Sequence, residues 1–568
     1  MATATPGPNR HESQQVVIHS PVPASRSDTC AVAVSPEAER QSQSQPAGLP
    51  VGIGNPAAVP RTPQRQPSST IGRNVELSAQ GLDAQGAGVC RMADREVHVP
   101  GLLPNETADV RVHHLSPHTQ DAWGTVNRRL SDSAERVLPS CAGYGLCGGC
   151  SLQHMQYDAQ LRWKTERLVR ALHGIPGSPG GVSSCIGPGW PPSDRDETWE
   201  RGPGGLPLGY RSRVKLVAAH RATSASSATA APLYFGSYVP RSHDVLAMAG
   251  CRVNAPSLTA LAHTLAIELN RVGVRAYDET TAQGVLRYVL LRESAAHEQQ
   301  LSLVVAEPPS ADVLAQLAAA LTHAHPPLVS IVLHENRSPG NALLADEGSE
   351  TDGDAADRLL HGPPYLWDEV GGLPLRISAR SFFQVNRATA ARIYSDVCKH
   401  VRSLLLPGQA QPVAAPLRIV DLYSGVGGLG LTVLRGLPGS SLLGVEWSAS
   451  ASADAQASAA RLGLSHQADF RCGAVETLLA DAAIRAMAQG CDVLLLNPPR
   501  RGCTQDVLSA IVSLRPRCVV YVSCSPESLA RDLSALTSAG YAWLQSTPYD
   551  MHPGTPHIES VTILRDAR

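Results

Sequence analysis

"IVDLYSGVGGLGL", residues 419–431, decides the architecture of the C-terminal part of this chain. An apolar strand runs into Gly425, Gly427, Gly428 and Gly430, and these lead into a helix. Glycine lets backbone approach a ligand closely, and a helix N-terminus favours polar or anionic groups. Roughly 20 residues later, Glu446 ends the next strand, where an acid can hold ribose hydroxyls. Taken alone, the loop does not separate a nicotinamide cofactor from S-adenosylmethionine.

Outward from this loop, "SLLGVEWS" (441–448), "CDVLLLNPP" (491–499) and "CVVYVSCS" (518–525) continue a strand–helix alternation that starts after about residue 375. Alternation of this kind predicts an α/β fold with a parallel, doubly wound sheet and a crevice at the strand C-termini. Upstream the pattern changes. "NVELSA", "REVHVPG" and "ADVRVHHL" within 71–132 are short alternating segments split by glycine and proline, as in a small β-barrel. Residues 151–173 read as a helix with Leu152, Met155, Leu161, Leu168, Val169 and Leu172 on its apolar stripe. A strand-rich middle carries "RSRVKLVAAH", "LRYVLLRE" and "QLSLVVAE", broken by low-complexity inserts near 186–207, 221–231 and 346–357 that read as mobile loops. Residues 1–70, rich in Ala, Pro, Ser and Gln, read as a disordered tail; Glu12, Asp28, Glu37 and Glu39 speak against a transit peptide.

A chain of 568 residues with 43% hydrophobic content can bury several cores. No apolar run reaches the ~18 residues a membrane helix needs, and the N-terminus has no secretory pattern, so a cytoplasmic protein without a membrane partner is expected. Thirteen cysteines in a reducing compartment then mean free thiols, a metal or cluster, or a catalytic thiolate, rather than disulfides. A net charge of -2 excludes wholesale coating of nucleic acid but not a local basic groove. Only Lys164, Lys215 and Lys399 are lysines, so nearly all basic residues are arginines suited to forked phosphate contacts; genomic base composition explains that bias equally well.

Three further stretches carry chemistry. "CAGYGLCGGCSLQH" (141–154) spaces its cysteines C-x5-C-x2-C. In "YVSCSPESLARDL" (521–533) Cys524 lies just past a strand, and Ser525-Pro526 reads as a helix cap and first turn. Such a position lowers a thiol's pKa and favours the nucleophilic thiolate, against a buried structural cysteine as the plain alternative. "MHPGTPHIES" (551–560) adds His552, His557 and Glu559 as acid/base candidates.

Together with "GYRSRVKL", "GCRVNAPSL", "SFFQVN" and "NPPRRG", these stretches resemble the RNA uracil-5-methyltransferase family in its 23S ribosomal branch, from about residue 71 to the end. The resemblance implies a C-terminal methyltransferase domain over 375–568, a central domain over 133–374, and an RNA-binding TRAM barrel over 71–132 through "GAGVCR", "VHVPGLLPNETADVRV" and "ERVLPSC". It implies that Cys141, Cys147, Cys150 and Cys251 ligate a [4Fe-4S] cluster. A structural zinc is the alternative for any four-cysteine set. It assigns S-adenosylmethionine to Gln384, Tyr423, Gly425, Gly428, Glu446 and Asn497, with Cys524 as nucleophile and Glu559 as base. Members with both a TRAM domain and a cluster most often act on 23S ribosomal RNA, with transfer RNA as the second substrate to weigh; a monomer is expected.

Two positions depart from the family pattern. Asn497 stands where aspartate is usual, which removes a charge while keeping hydrogen-bonding capacity. Gly428 stands where asparagine is common, removing one cofactor contact. Asn497 also suggests "NPPY"-type amino-methyltransferases, but those need an aromatic residue where this chain has Arg500. Arg500 and Arg501 read either as phosphate contacts or as solvent-facing. A radical S-adenosylmethionine enzyme needs C-x3-C-x2-C, which is not the spacing here. An RNA-binding or assembly protein without catalysis would rest on Asn497 alone.

Overall fold

The computed structural model describes residues 71–176, 181–188, 200–221, 231–248, 250–338, 357–406 and 416–568. The expected tail over 1–70 and the middle of each expected insert lie outside the described residues.

The C-terminal strands are short, almost wholly apolar runs: every residue of Val493–Leu496 and Cys518–Ser523 is buried. Burial on both faces is the signature of a parallel sheet covered by helices on either side. The sheet has eight strands in the order Ala468–Cys472, Ser441–Glu446, Arg418–Leu422, Val493–Leu496, Cys518–Ser523, Glu559–Asp566, Tyr541–Tyr549, Gly181–Val182. The first five run parallel, and Glu559–Asp566 lies antiparallel between its neighbours. Strand order reverses between Arg418–Leu422 and Val493–Leu496, which opens a crevice at their C-terminal ends. Helices Arg387–Leu405, Gly428–Gly436 and Ala449–Arg461 pack on one face, and Gln505–Leu514 and Pro526–Ser538 on the other.

The hairpin Tyr365–Val370/Leu373–Ser378 serves the same core through Val370 and Leu373, so the packing unit starts upstream of residue 375. Asp454 fixes it: the carboxylate accepts from Ser378 N (2.7 Å), Ser378 Oγ (2.7 Å) and Ser381 Oγ (2.6 Å) and pairs with Arg376 (2.7 Å). This anchor delivers the "SFFQVN" segment to the crevice.

Upstream, Asn74–Leu82, Gly88–Met92, Arg95–Val99, Thr107–Leu115 and Asp121–Arg129 close into a five-stranded barrel, as their alternation predicts. The middle region forms a mixed seven-stranded sheet whose core is covered by helices Pro256–Arg271 and Ala311–Ala324.

Two sequence expectations need correction. The helix expected over 151–173 spans Tyr157–Ala171. Leu152 and Met155 are buried in the turn before it, where Leu152 N donates to Gly554 O (2.9 Å). Val169 is 45% exposed, and the buried face includes Gln160, Trp163 and Lys164, because long-range partners meet the polar members. The insert expected near 186–207 also ends in ordered structure: Glu200–Arg201 pairs with Pro207–Leu208, and Leu206 is buried. Among the described residues no helix is long and apolar enough to cross a membrane.

Candidate active site

The glycine loop follows the strand Arg418–Leu422. Tyr423 sits at φ +63°, a left-handed conformation costly for an aromatic residue, and Gly425 (+56°) and Gly427 (+80°) continue the turn. A Cβ on Gly427 would come within 2.9 Å of the Phe470 ring, so glycine is required there on two counts. Glu446 ties the loop to the next helix, its two carboxylate oxygens accepting from Gly425 N (2.9 Å) and Ser448 N (3.0 Å). Asp421 accepts from Gly430 N (3.0 Å), while its other oxygen is buried without a partner. Burial pushes that carboxyl up to about 7.

Gln384 and Asn497 are half-buried, and their side-chain amides form no hydrogen bond among the described residues. Asn497 follows the strand Val493–Leu496, its backbone N–H donating to Leu422 O (3.3 Å). The six expected cofactor residues thus do not all point alike. The Tyr423 ring lies by Cys503, Glu476 and Arg501, and a side chain on Gly428 would run into Tyr394.

Cys524 follows the strand Cys518–Ser523, and Ser525 caps helix Pro526–Ser538 by accepting from Ser528 N (3.3 Å). Antiparallel pairing aligns Ser523 with Ser560, whose hydroxyl donates to Ser523 O (3.1 Å). Cys524 and Glu559 are the next residues beyond this pair, and the Glu559 charge reaches the thiol. The tertiary environment overturns the expected lowering of the thiol pKa. Burial raises it, the Glu559 charge adds to the rise, and Arg500 opposes both. Burial lifts Glu559 to about 7, again against Arg500. Arg500, which the sequence left open between a phosphate contact and solvent exposure, is exposed, and its charge acts on both Cys524 and Glu559.

The loop 550–556 is held from below by helix Tyr157–Ala171. Lys164 Nζ donates to Asp550 Oδ1 (2.6 Å) with both side chains fully buried, Arg167 Nη1 donates to Pro556 O (2.8 Å), and Gly554 N donates to Gln160 Oε1 (3.0 Å). Tyr210 OH donates to Pro553 O (3.1 Å). Burial and neighbouring cations lower His552 to about 3 and also lower His557, which favours the neutral form of both imidazoles.

The four expected metal ligands gather next to this scaffold. Cys150 and Cys251 pack around Tyr210, and each feels the charge of Cys141 and Cys147. Gly149 N lies 3.3 Å from the Cys147 sulfur, and the N–H groups of Val253 and Asn254 face that of Cys251. No three of these sulfurs lie within 4.8 Å of one another, wider than the roughly 4 Å sulfur spacing of a zinc tetrahedron with its ~2.3 Å bonds.

Known proteins match this architecture. Residues 477–567, which include Asn497, Cys524 and Glu559, match the family model described as tRNA (Uracil-5-)-methyltransferase. An uncharacterized RNA methyltransferase of Geobacter sulfurreducens is 31% identical over 501 residues, covering 88% of this chain and 91% of the relative. One of Listeria innocua is 30% identical over 494 residues, covering 87% and 97%. In fold, the chain resembles a Pyrococcus abyssi tRNA (uracil-54, C5)-methyltransferase solved with S-adenosyl-L-homocysteine: TM-score 0.61, 21% identity, 86% of this chain and all of that one. Matched over 88% of its length by a relative, and over the segment that holds Cys524 and Glu559 by the family model, the chain belongs to the RNA uracil-5-methyltransferase family.

Proposed function

We propose that this enzyme methylates carbon 5 of a uridine in 23S ribosomal RNA through a covalent adduct on Cys524. The observation that carries the reading is that Cys524 and Glu559, each one step beyond the Ser523–Ser560 pair, lie close enough for the Glu559 charge to act on the thiol, with the carboxyl's own pKa raised. Carbon 5 of uracil is a weak nucleophile, and covalent catalysis splits the difficulty in two. The Cys524 thiolate bonds to carbon 6, leaving enolate character on carbon 5. Carbon 5 bonds to the methyl group that S-adenosylmethionine would supply when held by the glycine loop, Glu446, Gln384 and Asn497; the S–CH3 bond breaks and S-adenosylhomocysteine is the leaving group. Glu559 then takes the carbon-5 proton, the ring double bond re-forms and Cys524 leaves as thiolate. Arg500 favours the anionic forms of both groups at the steps that need them. The uridine must leave its stack to reach this wall; Phe382, 65% exposed with the Arg213 guanidinium 6.0 Å from its ring centre, is a surface on which unstacked bases rest.

The four thiols fit a [4Fe-4S] cluster by donor type and by the N–H groups that face Cys147 and Cys251, and such a cluster would brace the scaffold under loop 550–556. The barrel acts as the TRAM module. Barrel and cluster together favour ribosomal RNA; the transfer-RNA description of the matching family model keeps tRNA as the second reading. Methyl transfer from labelled S-adenosylmethionine to 23S and transfer RNA, with nucleoside analysis for 5-methyluridine, tests both: label in ribosomal RNA alone, abolished in Cys524→Ala, is the expected result. Label confined to transfer RNA overturns the substrate assignment.

A further inference from the structure

Helix Arg387–Leu405 sends one side chain, Tyr394, across the N-terminus of the glycine-loop helix. A Cβ on Gly428 would lie 2.7 Å from the Tyr394 hydroxyl and 3.0 Å from the ring, so the phenol occupies the space that any side chain at 428 would need. The ring is half-buried and packs on the methyltransferase core, yet its hydroxyl forms no hydrogen bond among the described residues. Phenols in such places ordinarily find a partner. Two polar atoms beside the loop, Asp421 Oδ1 and Ser424 Oγ, are buried and unpartnered. Tyr394 feels the charges of both Asp421 and Glu559, and burial keeps the phenol protonated and able to donate.

We propose that the Tyr394 hydroxyl donates a hydrogen bond to the carboxylate of the cofactor's aminocarboxypropyl tail, taking the place of a side chain at position 428. The assignment rests on the cofactor reading given above. With ribose hydroxyls on Glu446 and the methyl group delivered toward Cys524 and Glu559, the sulfonium and its tail lie on the Tyr394 side of the loop. Residue 428 is then bare because the contact comes from the neighbouring helix.

Calorimetric titration with S-adenosylhomocysteine and with 5′-methylthioadenosine, which lacks the tail, tests this, with thermal melts confirming the fold. Tyr394→Phe is expected to weaken S-adenosylhomocysteine by roughly tenfold and to leave methylthioadenosine unchanged. Gly428→Ala, which drives a methyl group into the hydroxyl, should produce a similar loss in wild type and a smaller one when combined with Tyr394→Phe. Equal affinity of wild type and Tyr394→Phe for S-adenosylhomocysteine overturns the proposal, as does an equal loss for both ligands, which would mark a packing role. Failure of wild type to bind S-adenosylhomocysteine would instead remove the cofactor reading itself.

Discussion

Glu559 carries the clearest residue-scale consequence. Its pKa is raised to about 7 in the fold, so it binds a proton between the ordinary carboxylate range and pH 7 that the unfolded chain does not. Its ionisation therefore costs stability as pH rises through that window, while a general base must be ionised to act. Turnover should climb with pH through about 7, and the raised Cys524 thiol steepens the climb. Glu559→Gln should remove turnover yet stabilise the protein at pH 8 by on the order of 2 kcal/mol, read by denaturant melts. The same variant should accumulate a denaturation-resistant RNA–protein species, because elimination of Cys524 awaits the carbon-5 proton; its absence would count against the adduct. Asn497→Asp restores a charge beside an unpartnered polar site, and tighter S-adenosylhomocysteine binding is the expected readout.

At the scale of elements, helix Tyr157–Ala171 is a strut. It follows the cysteine triplet, buries Lys164 against Asp550, and takes up the backbone of loop 550–556 through Gln160 and Arg167. Removing one partner of a buried ion pair leaves an uncompensated charge at a cost of about 3–5 kcal/mol. Lys164→Met should lower the melting temperature and cost more activity than Arg162→Ala, whose pair with Glu135 is exposed. A melt and activity unchanged in Lys164→Met would show that the strut does not position the loop. Ser525→Ala removes the cap next to the nucleophile and should cost roughly 1 kcal/mol.

Over the whole molecule, the barrel is tied to the rest through Leu82 and Leu103, which pack with Leu152, Met155 and Trp163, and through the Arg136–Glu106 pair. The cysteine site, the strut and loop 550–556 form one chain of contacts through Tyr210. Cys251→Ser is therefore expected to abolish absorbance near 400 nm, reduce soluble yield and lower the melting temperature. Iron content equal to wild type would take Cys251 out of the ligand set.

What the sequence determined by itself was local and periodic. Apolar runs separated by glycine-rich turns are enough to specify a parallel sheet, a crevice at Tyr423–Gly428 and the cap at Ser525, because burial on two faces and backbone sterics act within a few residues. The barrel was legible for the same reason, through alternation with period two. The tertiary structure decided whatever depends on a partner distant in sequence. Lys164 stood out only as one of three lysines, and its burial is accounted for by Asp550, 386 residues away. Arg500 had two readings until strand register brought Cys524 and Glu559 beside it, and the expected thiolate became a thiol of raised pKa because desolvation outweighs the local helix N-terminus. Tyr394 carried no motif at all; only the approach of one helix to a bare glycine brings its hydroxyl to the glycine loop.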